Sequence, residues 1–191
     1  MDPSDEALFA AYVAGDRRAF RQLFARWSGP LTRLMRQQVW DAQDAGELVQ
    51  QTFLQLHRAR HDFRPGALLK PWLYTIALNL RRGYLRTKGR RPETPLDLER
   101  HPVPTVDPVD VTRSEDARRV RAALTGLSPK QREVIELHWF EELSFPEVAQ
   151  VLGANVNTVK VRAHRGYKVL RAVLEAEDAH NDARAAEGSW T

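Results

Sequence analysis

The chain of 191 residues contains no cysteine. It therefore has no disulfide framework, thiolate nucleophile, Cys-ligated zinc or thiol redox switch, and a reducing compartment is its natural setting. Long apolar runs are missing too. Each falls well short of the ~18 residues that a membrane-spanning helix requires, so no membrane insertion is expected. The first six residues carry Asp2, Asp5 and Glu6 where an export signal would be basic, which predicts a cytoplasmic protein. Strictly alternating β-branched stretches are absent, as is any repeat with a period of roughly twenty to fifty residues. Neither a glycine-rich phosphate loop, a nucleophile elbow nor a pair of catalytic carboxylates can be placed. No catalytic residue and no cofactor is expected, and the chain is not read as an enzyme.

What is present is a 42% apolar composition, enough for a packed interior, and a formal charge of +4 distributed unevenly. Residues 1–91 carry 16 basic and 8 acidic side chains, net +8, and residues 92–127 are net −2. Residues 128–171 are net +2 and residues 172–191 net −4. Basic blocks alternating with acidic connectors attract polyanions at chosen places, which suits nucleic acid or an anionic membrane surface.

Helical periodicity dominates, and the fold class is all-α. Ser4 caps a first helix to about Ala14, and Gly15-Asp16 restarts a second. Gly29-Pro30 is expected to kink or break that helix before it resumes to about Trp40. Asp44, with Glu47 three residues on, reads as a capping box opening a third helix to about Arg60. After a loop containing Pro65-Gly66, Pro71 reads as the first residue of a fourth helix. Residues 88–112 hold five prolines among acidic side chains and read as a semi-extended linker. Beyond it Ser114 to Leu124, Pro129 to about Glu141, Ser144 to Val151 and Asn155 to about Leu174 read as four more helices. The expected architecture is two small helical domains, residues 1–87 and 113–174, joined by that linker, with an acidic tail over 175–191 that is disordered or screens the basic face.

Three stretches carry chemistry. In LSFPEVAQVLGANVNTVKVRAHRGYKVL a capped helix, a turn at Gly153 and a second helix capped by Asn155 make a helix-turn-helix. Val156, Val159, Ala163, Tyr167 and Leu170 form its inward stripe. Asn157, Thr158, Lys160, Val161, His164, Arg165, Lys168 and Arg171 lie outward, and no acid occurs between Val148 and Leu174. Such a face donates to base edges and phosphates. In the third helix Val49, Phe53 and Leu56 share the inner face, leaving Glu47, Gln50, Gln51, Leu54 and Arg58 outside. Leu54 is the misfit there, either an ordinary exposed leucine or the anchor of a docking face. In PWLYTIALNLRRGYLRTKGRR, Trp72, Ile76, Leu80 and Tyr84 read as core, with Thr75, Asn79, Arg82 and Arg86 on a basic ridge that Arg81, Lys88, Arg90 and Arg91 extend. A basic amphipathic helix also fits a membrane surface. His57 and His61, one turn apart and beside Asp62, have a spacing that chelates zinc, but no third ligand is apparent.

These three stretches, in this order across a variable linker, resemble a bacterial RNA polymerase sigma factor of the extracytoplasmic-function branch of the sigma-70 family, over about Asp5 to Leu174. The resemblance implies region 2 and region 4 and nothing catalytic. It implies that Asp44, Glu47, Gln50, Gln51, Leu54 and Arg58 dock on the clamp helices of core RNA polymerase. It implies that Arg60, Phe63, Trp72, Thr75, Asn79, Arg82 and Arg86 take up single-stranded −10 promoter DNA, Asn79 at the base-contacting position, with Tyr74 a further stacking surface. Asn157, Thr158, Lys160, Val161, His164, Arg165 and Lys168 would read the −35 element in the major groove while the preceding helices grip the polymerase flap. An anti-sigma factor is the implied regulator. Three positions depart from the family: Asn157 and Glu142 stand where small or glycine residues are common, and Val161 where serine is frequent. The other reading of the same helix-turn-helix is a transcription regulator that acts without polymerase.

Overall fold

The computed structural model describes residues 2–37, 39, 41–88 and 123–187, the last of these as backbone alone beyond residue 176. The linker and most of the helix expected over Ser114 to Leu124 lie outside the described residues, as do Trp40, Arg90 and Arg91. Two compact units divide between Val106 and Asp107, and the described residues are helices and connecting turns without a strand.

The first unit contains α1 (Asp5–Val13), α2 (Arg17–Arg36), α3 (Ala42–Arg58) and α4 (Leu69–Lys88). Ser4 caps α1 by accepting from the Ala7 N–H, and Asp16 caps α2 through the Arg18 N–H. Side chains that complete the orphan donors of a first turn stabilise a helix by about 1 kcal/mol each. Contrary to the expected break, α2 runs uninterrupted through Pro30. Proline forfeits one backbone bond, but Trp27, Leu31, Leu34 and Met35 are buried on either side of it and hold the helix to its neighbours. The helix stops at Arg36, short of Trp40.

The start of α3 is also corrected. Its N-cap is Asp41, whose carboxylate accepts from the Gln43 N–H at 2.7 Å. Asp44 and Glu47 do not form a box; Glu47 accepts from the Gln43 amide instead, at 3.2 Å. The first residue of α4 is Leu69, so Pro71 lies inside its first turn, where the missing N–H is still harmless. The Leu69 N–H donates to the Glu6 carboxylate at 3.0 Å, so α1 supplies a cap to α4. Burial pushes the Glu6 carboxyl up, yet the hydrogen bonds from Leu69, from its own backbone and from Ser4 outweigh this and hold it below the usual range.

The buried stripe of α4 is Leu73, Tyr74, Ala77, Leu78 and Arg81. Trp72, Ile76, Leu80 and Tyr84, the row expected to be core, are only half-buried. Arg81, expected on the basic ridge, is 1% exposed and directs its guanidinium toward the Leu34 carbonyl, at 3.5 Å, in the last turn of α2. A cation there meets the negative end of the helix macrodipole and carbonyls that lack helical partners.

The second unit is described from residue 123 onward. It contains α5 (Pro129–Ile135), which continues as a π-helical turn over Glu136–Phe140, then α6 (Phe145–Leu152) and α7 (Val156–Glu187). Ser128 with Gln131, and Ser144 with Glu147, both close capping boxes. At Glu142 the backbone adopts φ 51°, a left-handed conformation that glycine takes without steric cost. That is the physical reason a glycine suits this position. Gly153 ends α6 in the same left-handed region, at φ 60°, and turns the chain into α7. The Asn155 side chain then accepts from the Asn157 N–H at 2.8 Å. Gly166 lets α7 approach α5: a Cβ there would stand 2.5 Å from Ile135 Cδ1.

Beyond Leu174 the chain does not leave the helix, and α7 continues to Glu187. The alanine-rich segment has no proline and no glycine before Gly188 to stop it. No helix among the described residues is long and apolar enough to cross a membrane.

Candidate nucleic-acid interface

The outer side of α3 is built by the burial of its inner side. Ala45, Leu48, Val49, Thr52, Phe53 and Leu56 are buried, which fixes the rotation of the helix and leaves Glu47, Gln50, Gln51, Leu54 and Arg58 exposed. Leu54 is 47% exposed. It borders an apolar groove of about 330 Å³ whose other walls are Tyr12, Phe20, Phe24, Phe53, Gln50 and His57. Phe24 is itself 40% exposed.

Asp44 does not join this outer face. Its carboxylate accepts from the Tyr84 hydroxyl and from Lys88 Nζ, the latter at 2.6 Å, tying the start of α3 to the end of α4. Hydrogen bonds from Lys88 and then Tyr84 hold the Asp44 carboxyl below the usual carboxylate range, and hydrogen bonding to Asp44 and then Tyr84 raises the Lys88 ammonium above its ordinary value. Both charged forms are the bonded ones. The tie is therefore complete through neutral pH, fails from the acid side as pH falls below about 4, and fails from the alkaline side only above about 10. Asp44→Asn is expected to lower the melting temperature at pH 7 and to shrink its fall between about pH 4 and pH 2; unchanged acid melting curves would show that the tie contributes nothing.

His57 does not prepare a metal site. Its Nδ1 is engaged by the Tyr12 hydroxyl, and no group of three or more metal-binding side chains gathers among the described residues. Burial raises the Tyr12 phenol above its ordinary value, with the charge of Arg60 opposing.

On α4 the structure sorts the expected strand-contacting residues. Asn79, Arg82 and Arg86 are exposed along one side, and Arg82 Nη1 lies 3.5 Å from Asn79 Oδ1. Thr75 is half-buried, with its hydroxyl donating back to the Pro71 carbonyl at 2.8 Å. Tyr74 is fully buried, edge-on to Trp27 with ring centroids 6.0 Å apart, so it offers no stacking surface. Phe63 and Trp72 are half-buried and complete an aromatic triangle with the buried Phe9, at 5.0 and 5.7 Å from its ring and 5.1 Å from each other. This triangle seats the loop between α3 and α4 against α1, leaving part of each outer ring open. Arg60, half-buried, donates to the His57 carbonyl at 2.8 Å.

In the second unit the capped α6, the left-handed Gly153 and the Asn155-capped α7 form the helix-turn-helix. Val159 and Ala163 are buried, while Val156, Tyr167 and Leu170 are half-buried. Asn157, Thr158, Lys160, Val161, His164, Arg165, Lys168 and Arg171 are all exposed. Arg171 Nε donates to the Glu175 carboxylate at 2.8 Å, and the rest of this exposed face can meet a polyanion. Trp139 and Phe140, on the π-helical turn, are 63% and 50% exposed. Trp139 Nε1 donates to the Tyr167 hydroxyl at 2.8 Å, which holds the indole in place. Nothing in the local periodicity marked this pair, because the π turn shifts the register of α5.

Comparison with known proteins places these two units. A family model described as Sigma-70 region 2 matches residues 23–91, and one described as Sigma-70, region 4 matches residues 117–170. The chain is 34% identical over 160 residues to the RNA polymerase sigma factor CarQ of Myxococcus xanthus, covering 84% of this chain and 91% of that one. It is 36% identical over 172 residues to the ECF RNA polymerase sigma factor SigM of Mycobacterium tuberculosis, covering 90% and 85%. Among solved structures, CnrH in complex with the cytosolic domain of CnrY superposes with a TM-score of 0.66 at 31% identity, over 91% of this chain and 99% of that one. The sigma factor RpoE in complex with the anti-sigma factor NepR from Bartonella quintana superposes with a TM-score of 0.69 at 27% identity, over 82% and 96%.

Proposed function

Because the chain belongs to the sigma-70 family, in its extracytoplasmic-function branch serving transcription initiation by RNA polymerase, we propose that it binds core polymerase, reads a two-part promoter and opens it. The exposed side of α3, centred on Leu54, carries this reading. A regulator that works on duplex DNA alone needs only the helix-turn-helix and has no use for an apolar anchor on a separate unit.

The steps follow from the faces described above. Glu47, Gln50, Gln51, Leu54 and Arg58 meet the polymerase clamp helices, with the Phe24 groove alongside, while Asp44 shapes α3 from within. The exposed face of α7 enters the major groove of the −35 element, where Lys160, His164 and Arg165 reach base edges and phosphates. Trp139 and Phe140 supply an apolar surface for the flap. At the −10 element Asn79 meets an extruded base, and Arg82 and Arg86 hold the strand. Extrusion costs a few kcal/mol, while stacking and pocket contacts return about 1 to 3 kcal/mol per base, so captured strand offsets melting without ATP. The chemistry of RNA synthesis belongs to the polymerase. Two solved relatives are held by CnrY and by NepR, and an anti-sigma factor is the expected regulator of this chain as well.

Run-off transcription with the full chain and core polymerase tests the proposal. Specific transcripts with permanganate-reactive thymines near the start site are expected only when both are present. Tight duplex binding by the chain alone, with no effect on polymerase, would favour the polymerase-independent regulator instead.

A further inference from the structure

Four glycines lie inside described helices: Gly29, Gly46, Gly83 and Gly166. Glycine in a helix interior is destabilising relative to alanine, so each calls for a reason. Gly166 has one in packing, since a Cβ would strike Ile135. Gly29 has one in sequence, since the residue before a proline is crowded out of helical geometry when it carries a Cβ. Gly46 and Gly83 have neither, because a Cβ at either would meet nothing within 4 Å. Gly46 lies on the docking helix α3. Gly83 lies on α4 one turn after Asn79, beside Arg82 and ahead of Arg86, so its bare backbone falls on the same side as those exposed groups.

The surroundings of Gly83 sharpen the point. Tyr84 and Lys88 are drawn by Asp44 toward α3, and Arg81 is buried against α2. The part of α4 around Gly83 thereby presents an amide and two guanidinium groups beside open space over the bare Gly83 backbone. We propose that Gly83 is the seat of the sugar–phosphate backbone of the separated strand: without a Cβ, a deoxyribose-phosphate comes close to the helix while Arg82 and Arg86 flank it with positive charge and Asn79 meets the base. This inference rests on α4 being the strand-binding helix.

The test uses the full chain in complex with core polymerase and a fluorescent single-stranded oligonucleotide carrying the non-template −10 sequence. Gly83→Ala is expected to raise the melting temperature by about 4 °C while weakening strand capture about fivefold, and Gly83→Leu to weaken it at least about thirtyfold, with affinity for −35 duplex unchanged. A gain in stability joined to a loss of capture is the signature of a glycine kept for a ligand. Capture at the wild-type level by both variants, while Asn79→Ala still impairs it, would overturn the seat and leave the strand-binding reading intact. Failure of the wild-type complex to capture the strand at all would overturn both.

Discussion

Leu54→Asp is expected to weaken binding to core RNA polymerase at least about thirtyfold and to remove run-off transcription at limiting concentrations, with little change in melting temperature. The fold gives up little at this position, because Leu54 is 47% exposed and α3 is anchored by Val49, Phe53 and Leu56 on its other side. Exposed substitutions of this kind typically change stability by less than about 0.5 kcal/mol. A desolvated apolar anchor at the centre of an interface is worth about 2 kcal/mol or more, and placing a carboxylate there adds an unpaired charge to the loss. Competition binding against wild type, with a thermal melt as control, separates the two effects. Undiminished binding would remove α3 from the polymerase interface and leave its exposed leucine as ordinary surface.

Asn79→Ala is the second large effect. The residue is exposed on α4, and alanine is the better helix former, so stability is expected to hold or rise slightly. A well-placed amide on a base edge discriminates by about 1 to 3 kcal/mol, so opening at cognate promoters is expected to fall about tenfold or more, and much less at promoters changed at that base. Arg82→Ala is expected to behave differently, weakening capture at cognate and altered promoters alike and lowering the slope of log affinity against log salt by about 0.7, one phosphate contact on a single strand. Permanganate reactivity and strand affinity over a salt series read both. Equal sequence-independent losses from the two substitutions would undo the division of labour between base and phosphate contacts.

Much of this site was legible in the residues because its elements are local. Ser4, Asp16, Ser144 with Glu147, and Asn155 announce helix starts by chemistry that acts within three residues. Gly153 announces the turn of the helix-turn-helix, and the outward residues of α7 lie where their spacing puts them. The left-handed backbone at Glu142 gives a conformational reason for the glycine common at this position in the resembled family. Misreadings occurred where a nearby residue of similar type competed for one role, as Asp41 did with Asp44 for the cap of α3, or where packing decided against a local signal, as at Pro30 in α2.

The sequence by itself determined that this chain is helical, that its charge is segregated into basic blocks and acidic, proline-rich stretches, and which helix carries an acid-free face. Each of these follows from periodicity, caps and composition, properties that act over a few residues. Only the tertiary structure decided which flank of α4 is buried. Neighbouring positions on a helix differ by about 100° of rotation, so an apolar row fixes the inward face only loosely. The packing of α2 and α3 then buried Tyr74 and Arg81 and left Asn79, Arg82 and the bare backbone of Gly83 facing outward. The same packing turned Asp44 inward to Tyr84 and Lys88, because a carboxylate forty residues away along the chain is a neighbour only after the helices meet.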